Sequence, residues 1–260
     1  MKFPVNNFKK AILAKEKQIG LWISMCSNYA AEVVAGSAFD WVVIDSEHSP
    51  NSLPTIMSQI QAFSGTSVNV LARPAWNDPV EIKRLLDAGV SGLVIPMVNT
   101  AEEAEFAVKS TKYPPQGIRG VAGLVRASNY GRYTDYFERV NDEIAVIVQI
   151  ETKDAIENIK DIANVPGIDA VFFGPADIHA SYGHLGPPVR EDVWHEIILP
   201  AATKVQNLGK PTGTLVADPD FASDLLTNNG FTFLACGVDT GILKKGCDDV
   251  LGTIRKNISL

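Results

Sequence analysis

The chain contains 260 residues, of which 46% are hydrophobic and 20% charged, so its composition is that of an ordinary globular protein. Its formal net charge of −7 argues against a nucleic-acid or anionic-membrane binder, because either partner would require a basic face. Three cysteines without C-x-x-C spacing, no signal-peptide core and no membrane-length apolar stretch predict a cytoplasmic protein without a disulfide framework.

Short apolar runs recur along the chain, and most of them are continuous rather than alternating. Continuous runs rich in Val, Ile and Phe are typical of strands that are buried on both faces of a parallel sheet. The eight runs span residues 20–25, 41–45, 68–74, 92–97, 144–151, 170–175, 212–217 and 231–237. Amphipathic segments separate them; one begins with Asp78 as a plausible N-cap and ends with Gly89 as a plausible C′ residue.

Eight β-then-α units in a chain of this length predict an α/β fold, a single (β/α)₈ TIM barrel that occupies residues 1–260 as one domain. A doubly wound open sheet is the alternative, but no G-x-G-x-x-G motif follows the first run. The longest irregular stretches, 113–143 and 176–191, are expected to be functional loops or to contain short helices.

Polar side chains follow several of the predicted strands at the point where each strand ends. In a (β/α)₈ barrel the active site lies at the C-terminal ends of the strands, so these side chains should share one rim. In chain order they are Asp45, Glu47, His48, Arg73, Gln149, Glu151 and Asp177. The opposite rim has no comparable cluster.

The residue types at this rim predict a particular chemistry. Glu151 and Asp177, from neighbouring strands, suit a hard divalent cation that has few protein ligands and keeps waters or takes substrate oxygens. Arg73 could hold a carboxylate or stabilise a developing enolate oxygen, and His48 could act as a general acid or base. No lysine lies inside the eight runs, which disfavours a Schiff-base aldolase.

Simpler interpretations exist for each of these residues. Glu151 and Asp177 could be helix-terminal charges on βα loops, and His48 could be a hydrogen-bonded loop histidine. Asp45 is expected to orient neighbouring groups or metal-bound waters, and Glu47 either does the same or forms a salt bridge between subunits. Two further cations, Arg119 and Arg126, either bind a distal substrate carboxylate or pair with acidic neighbours.

Several segments, in order along residues 20–245, resemble the HpcH/HpaI aldolase family of metal-dependent class II pyruvate aldolases. They include FDWVVIDSEHSPN, VIVQIET, DAVFFGPADI and GVDTGIL. The resemblance implies cleavage and formation of 4-hydroxy-2-oxo acids, through a pyruvate enolate held by one divalent ion per subunit (Mg²⁺, Mn²⁺, Co²⁺ or Zn²⁺). It also implies a homo-oligomer, a hexamer built as a trimer of dimers.

The resemblance implies roles for individual residues. The metal ligands would be Glu151 and Asp177, Arg73 would stabilise the enolate, and His48 would be the acid/base group. The pyruvate pocket would comprise Arg73, Gln149, Gly174, Pro175, Ala176 and Asp177. Asp87 is implied as the partner of His48. Because Asp87 ends the helix before the fourth strand, it should lie on the opposite rim and reach His48 of a neighbouring subunit, which puts the active site near an interface.

Two positions depart from the family pattern, Ser46 beside the acid/base group and His179 after the GPAD segment. An imidazole at position 179 is expected to narrow the aldehyde side or to join the metal coordination. Two other functions remain as alternatives, an acyl-CoA lyase of the citrate-lyase-like group and a non-catalytic barrel that binds 2-oxo acids. The aldehyde product is left open.

Overall fold

Eight parallel strands close into a barrel in the order in which they occur along the chain. The computed structural model describes residues 1–186 and 190–258. The strands are β1 (Gln18–Ile23), β2 (Trp41–Asp45), β3 (Asn69–Arg73), β4 (Gly92–Ile95), β5 (Ala145–Ile150), β6 (Ala170–Phe173), β7 (Thr212–Leu215) and β8 (Phe233–Val238). All eight predicted strands and the predicted (β/α)₈ barrel are therefore confirmed.

Helices alternate with the strands, and most of them form the outer layer. They are α1 (Asn7–Leu13), α2 (Asn28–Ala35), α3 (Leu53–Ala62), α4 (Pro79–Ala88), α5 (Ala101–Thr111), α6 (Tyr136–Glu143), α7 (Lys153–Glu157), α8 (Ile159–Asn164), α9 (Pro175–Ser181), α10 (Glu191–Val193), α11 (Leu199–Asn207), α12 (Pro219–Asn228) and α13 (Asp239–Asn257). The Asp78 side chain caps α4, and Gly89 ends it with a left-handed φ of +95°, as predicted.

Large aromatic side chains fill the barrel interior, and α1 closes its N-terminal end. The Phe8 ring of α1 lies 5.3 Å from the Trp41 ring and 5.8 Å from the Phe233 ring, measured between centroids. These rings need glycines beside them: a Cβ at Gly20 would lie 2.4 Å from the Trp41 ring, and one at Gly213 would lie 2.3 Å from the Phe233 ring. The N-terminal end of the barrel is therefore filled with side chains, so a substrate could enter the barrel only at the C-terminal rim.

Both long irregular stretches contain short helices, as predicted. The stretch 113–143 holds a 3₁₀ turn at Arg126–Ser128 and α6. The stretch 176–191 holds most of α9; its residues 187–189 lie outside the described residues.

The last helix does not pack into the outer layer. In α13 only Asp239 is buried, and its carboxylate accepts the N–H groups of Ser24 at 2.9 Å and Met25 at 3.1 Å. The helix exposes apolar side chains, namely Ile242, Leu243, Val250, Leu251 and Ile254. These fall on one side of the helix, because Val250 and Leu251 follow Ile242 and Leu243 by eight residues and Ile254 follows Val250 by four. Among the described residues, no helix has the length and apolarity needed to cross a bilayer.

Candidate active site

A buried ion pair joins the ends of β2 and β3. The strand register pairs Asp45 directly with Arg73. Arg73 Nε–H donates to Asp45 Oδ1 at 2.8 Å, and Nη2–H donates to Oδ2 at 2.7 Å. Burial tends to raise the pKa of Asp45, but the hydrogen bonds and charge of Arg73 outweigh it and hold that pKa below its usual value. Asp45 therefore remains an anion that fixes the guanidinium in place.

Trp22 packs on the Arg73 guanidinium, a contact that the sequence did not reveal. Arg73 Cζ lies 4.7 Å from the centre of the Trp22 ring, a cation–π contact, and both side chains are buried. The Trp22 side chain also contributes to the lowered pKa of Asp45. Trp22 lies within a continuous apolar run, where nothing in the residue pattern distinguishes a side chain at the rim from one in the core.

The segment after β2 brings Glu47 and His48 to the same rim. Glu47 Oε2 lies 2.8 Å from Arg73 Nη1 of the same subunit. Of the two roles expected for Glu47, this contact agrees with orienting a neighbouring group rather than with a salt bridge between subunits. Burial raises the pKa of Glu47, with further increases from the negative charges of Asp45 and Asp177. His48 is mostly exposed, and its Nε2 lies 3.9 Å from Glu47 Oε1. The imidazole is thus open to solvent beside the Glu47 carboxylate.

Glu151 is the most enclosed carboxylate of the rim, with 1% of its surface exposed. Its Oε1 accepts the backbone N–H of Met97 at 2.6 Å, and its Oε2 accepts from the Gln149 amide. Burial, together with the negative charges of Glu47 and Asp177, raises the pKa of Glu151 to about 7. A buried carboxylate crowded by like charges is an environment that a cation would stabilise.

The β5–β6 register places Gly174 beside Glu151. Ile150 pairs with Phe173, so the next residue of each strand lies alongside the other. A Cβ at Gly174 would lie 2.8 Å from Gln149 Nε2 and 2.9 Å from Glu151 Oε2. Only glycine therefore allows the carboxylate and the amide to occupy their positions.

The GPAD segment has few backbone N–H groups that are free to bind an anionic ligand, although its residues are small. Gly174 N–H donates to Ile150 O at 2.9 Å, and Pro175 has no N–H. Of these three residues, only Ala176 has an N–H at the unsatisfied first turn of α9. Asp177 is exposed in the same turn. The backbone contribution of Gly174, Pro175 and Ala176 to the predicted pocket thus reduces to one N–H group.

Two features of this rim fit a divalent cation. Glu151 and Asp177 supply hard oxygen donors, and Gln149 Oε1 is buried without a hydrogen-bond partner. Among residues 1–186 and 190–258, no group of three or more His, Cys, Asp or Glu side chains is arranged to hold a metal ion. The rim therefore offers a cation two carboxylates, and its other coordination positions would be left to water or substrate.

Asp87 lies at the opposite end of the barrel from His48, as its position in the last turn of α4 predicts. Its Oδ1 accepts from Arg119 Nη2 at 2.6 Å. The Arg119 guanidinium is fully buried and lies 4.3 Å from the centre of the Tyr113 ring. Of the two roles expected for Arg119, the structure therefore supports pairing with an acidic neighbour.

The two departures from the family pattern have structural roles. Ser46 Oγ donates to Arg73 O at 2.6 Å and lies 3.0 Å from Glu81 Oε1. The expectation for His179 is wrong: its ring is buried, with Nδ1 facing Pro175 O and Nε2 facing Arg190 O at 3.2 Å. Both nitrogens contact backbone carbonyls, so the ring neither lines the mouth nor offers a metal ligand.

Comparisons with known proteins give consistent matches. The HpcH/HpaI aldolase/citrate lyase profile matches residues 18–245. A Klebsiella pneumoniae subsp. pneumoniae protein named 4-hydroxy-2-oxo-heptane-1,7-dioate aldolase is 46% identical over 253 residues, 97% of this chain and 95% of that protein. A HpcH/HpaI aldolase/citrate lyase family protein from Burkholderia cenocepacia J2315 has a similar crystal structure, with a TM-score of 0.92 at 33% identity. The match covers 96% of this chain and 100% of that chain. For the crystal structure of the citrate synthase SbnG the TM-score is 0.86 at 26% identity, and the match covers 97% of this chain and 98% of that chain.

Proposed function

Because the chain belongs to the HpcH/HpaI aldolase/citrate lyase family, we propose how its C-terminal rim carries out the aldolase reaction. The protein is a carbon–carbon lyase, a class II aldolase that acts on 4-hydroxy-2-oxo acids. One observation carries the assignment of the site: the buried Glu151 carboxylate and the Asp45–Arg73 pair converge on a single rim. The first substrate to test is 4-hydroxy-2-oxoheptane-1,7-dioate, which would yield pyruvate and succinic semialdehyde.

The cofactor that fits the rim is one divalent cation per subunit, held by Glu151 and Asp177. All of these donors are oxygens, as Mg²⁺ and Mn²⁺ prefer, and Co²⁺ or Zn²⁺ could also use them. When bound, the cation would supply Lewis-acid stabilisation of negative charge on the substrate oxygens. The pKa of Glu151, raised to about 7 by burial first and then by the negative charges of Glu47 and Asp177, supports this assignment because a bound cation would favour the ionised carboxylate.

Arg73 stabilises the enolate oxygen in this proposal. A guanidinium has five N–H donors, of which two contact Asp45 and one faces Glu47. Two donors are therefore left for the substrate. Asp45 and Trp22 hold the guanidinium in place, so it need not reorganise as charge develops on the substrate, which is what makes such stabilisation effective.

His48 moves the proton. As a base at the open side of the rim, it takes the proton of the 4-hydroxyl group. The C3–C4 bond then breaks, the aldehyde leaves, and pyruvate remains as its enolate until it is protonated at C3. Glu47 Oε1, at 3.9 Å from His48 Nε2, would stabilise the imidazolium that forms.

The pyruvate carboxylate would be held by the second N–H of the Gln149 amide and by the Ala176 N–H. Gln149 lies at the end of β5 with its Nε2 on Glu151, so it links the substrate pocket to the cation site. Gly174 leaves the space that this arrangement requires.

A second copy of the chain would complete the assembly. In a (β/α)₈ barrel the helices normally form a packed outer ring, yet residues 240–257 of α13 are all exposed. Tyr29 and Val33 of α2 are exposed as well, at 76% and 66%. Large exposed apolar surfaces mark interaction sites. A homo-oligomer would cover α13, and a neighbour could bring its Asp87 to His48. Hexamer is the form proposed from the family resemblance.

The test of the function is pyruvate release from 4-hydroxy-2-oxoheptane-1,7-dioate, followed with lactate dehydrogenase. The metal-stripped protein should be inactive, added Mn²⁺ or Mg²⁺ should restore turnover, and Glu151→Gln should lower it strongly. Turnover of an acyl-CoA thioester instead would favour the lyase alternative. Pyruvate binding without turnover of any 4-hydroxy-2-oxo acid would favour a non-catalytic binder.

A further inference from the structure

The loop after β4 contains a residue with unusual backbone geometry next to the rim. Met97 has a φ of +54°, in the left-handed region. Residues with a Cβ avoid this region because the Cβ crowds the neighbouring carbonyl oxygen. Such a conformation persists only where the surrounding structure imposes it, and these residues concentrate at functional sites.

This conformation directs a peptide N–H at Glu151. The Met97 N–H donates to Glu151 Oε1 at 2.6 Å. The other oxygen, Oε2, accepts from the Gln149 amide. Because each oxygen has its own donor and the group is 1% exposed, the plane of the carboxylate is fixed.

Asn99 holds the Met97 peptide in this position. Its Nδ2 donates to Met97 O at 3.0 Å, while its Oδ1 accepts from the Thr152 hydroxyl. Asn158 Nδ2 donates to Asn99 O at 2.9 Å. The β4 loop is therefore fastened to the segment that follows Glu151, so the donor and the acceptor of the Met97–Glu151 bond belong to one hydrogen-bonded unit.

We propose that Met97 is a positioning residue whose left-handed backbone, held by Asn99, orients Glu151 for the divalent cation. The inference rests on the proposed function, which makes Glu151 a cation ligand. The Met97 N–H occupies one lone pair of Glu151 Oε1. It thereby fixes the direction of the remaining carboxylate lone pairs, which would face the cation. Loss of this kind of support to a ligand typically weakens metal binding about 10- to 100-fold.

The experiment measures Mn²⁺ affinity, with Mn²⁺ alone as the probe and its free-ion EPR signal as the readout. Met97→Gly keeps the N–H and adopts a positive φ without strain, whereas Met97→Val is β-branched and strongly disfavours it. The glycine variant should therefore bind Mn²⁺ about tenfold or more tightly than the valine variant.

Ala38→Val is the matched control. Ala38 also has a left-handed φ, +57°, but it is exposed in the loop before β2, at the N-terminal end of the barrel. The substitution introduces the same backbone conflict away from the rim, so it should lower thermal stability without changing Mn²⁺ affinity. If Met97→Val fails to fold, Asn99→Ala provides the same test, because it frees the Met97 carbonyl and should also weaken Mn²⁺ binding.

The outcomes separate the two proposals. If wild-type protein binds no Mn²⁺, or if Glu151→Gln binds it as tightly as wild type, the cation site and the positioning role both fail. If Glu151→Gln loses Mn²⁺ but folded Met97→Val or Asn99→Ala binds it as tightly as wild type, the positioning role alone is overturned. Equal losses in Met97→Gly and Met97→Val would also overturn it, because the side chain rather than the backbone would then matter.

Discussion

Replacing Arg73 with alanine should destabilise the protein as well as inactivate it. The substitution would leave Asp45, which is 2% exposed, without the two N–H groups that contact it at 2.8 Å and 2.7 Å. Breaking a buried ion pair from one side leaves an uncompensated charge and reduces the free energy of unfolding by about 3–5 kcal/mol. Chemical denaturation of the metal-free wild type and variant at pH 7.5 measures this difference.

The pH dependence of that difference provides the sharper test. In the wild type the folded-state pKa of Asp45 lies below its unfolded value, so the pair stabilises the protein above the unfolded pKa and less as the pH falls through the folded pKa. Without Arg73, burial would raise the pKa of Asp45 and the carboxyl would accept a proton. The stability deficit of Arg73→Ala should therefore shrink on acidification.

A double variant separates stability from chemistry. Asp45→Asn combined with Arg73→Ala removes the unpaired charge, so it should recover part of the lost stability at pH 7.5 but none of the aldolase activity. A deficit below about 1 kcal/mol, typical of an exposed pair, would refute the reasoning. So would a deficit that does not change between pH 7.5 and pH 5.

Three further predictions concern Trp22, the subunit interface and the last helix. Trp22→Leu should lower kcat by up to about 30-fold, because a desolvated cation–π contact contributes about 2 kcal/mol and positions Arg73; steady-state kinetics showing an unchanged kcat would contradict this. Mixing inactive His48→Ala and Asp87→Ala subunits should restore partial activity if the two groups meet across an interface, whereas a mixture as inactive as its parts would exclude the dyad. Leu251→Glu should reduce the mass measured by light scattering, because it places a charge on the apolar face of α13; a monomeric wild type would remove the premise.

The barrel and most of the rim could be predicted because they depend on residue order. Continuous apolar runs identify buried parallel strands, and parallel strands bring their C-terminal ends together. Asp45, Arg73 and Gln149 therefore had to converge once the strands were known. The structure adds the register, which pairs Asp45 with Arg73 and brings Gly174 alongside Glu151.

The features that could not be predicted depend on directions and backbone angles. In a run such as GLWISM every residue is apolar or small, so its pattern does not indicate that Trp22 faces Arg73. A left-handed φ at Met97 has no signature in a methionine. His179 was misjudged because its distance from Asp177 along the chain was taken as closeness to the cation, whereas the turn of α9 directs its ring towards backbone carbonyls.

The most direct test of the central claim is exchange of the C3 protons of pyruvate for deuterium, followed by NMR. Exchange requires only enolate formation, so it tests the rim without any assumption about the aldehyde. We expect exchange to depend on added Mn²⁺ or Mg²⁺ and to be lost in both Glu151→Gln and Arg73→Ala. Folded wild-type protein that binds the cation but exchanges no deuterium would contradict the assignment of this rim as an aldolase site.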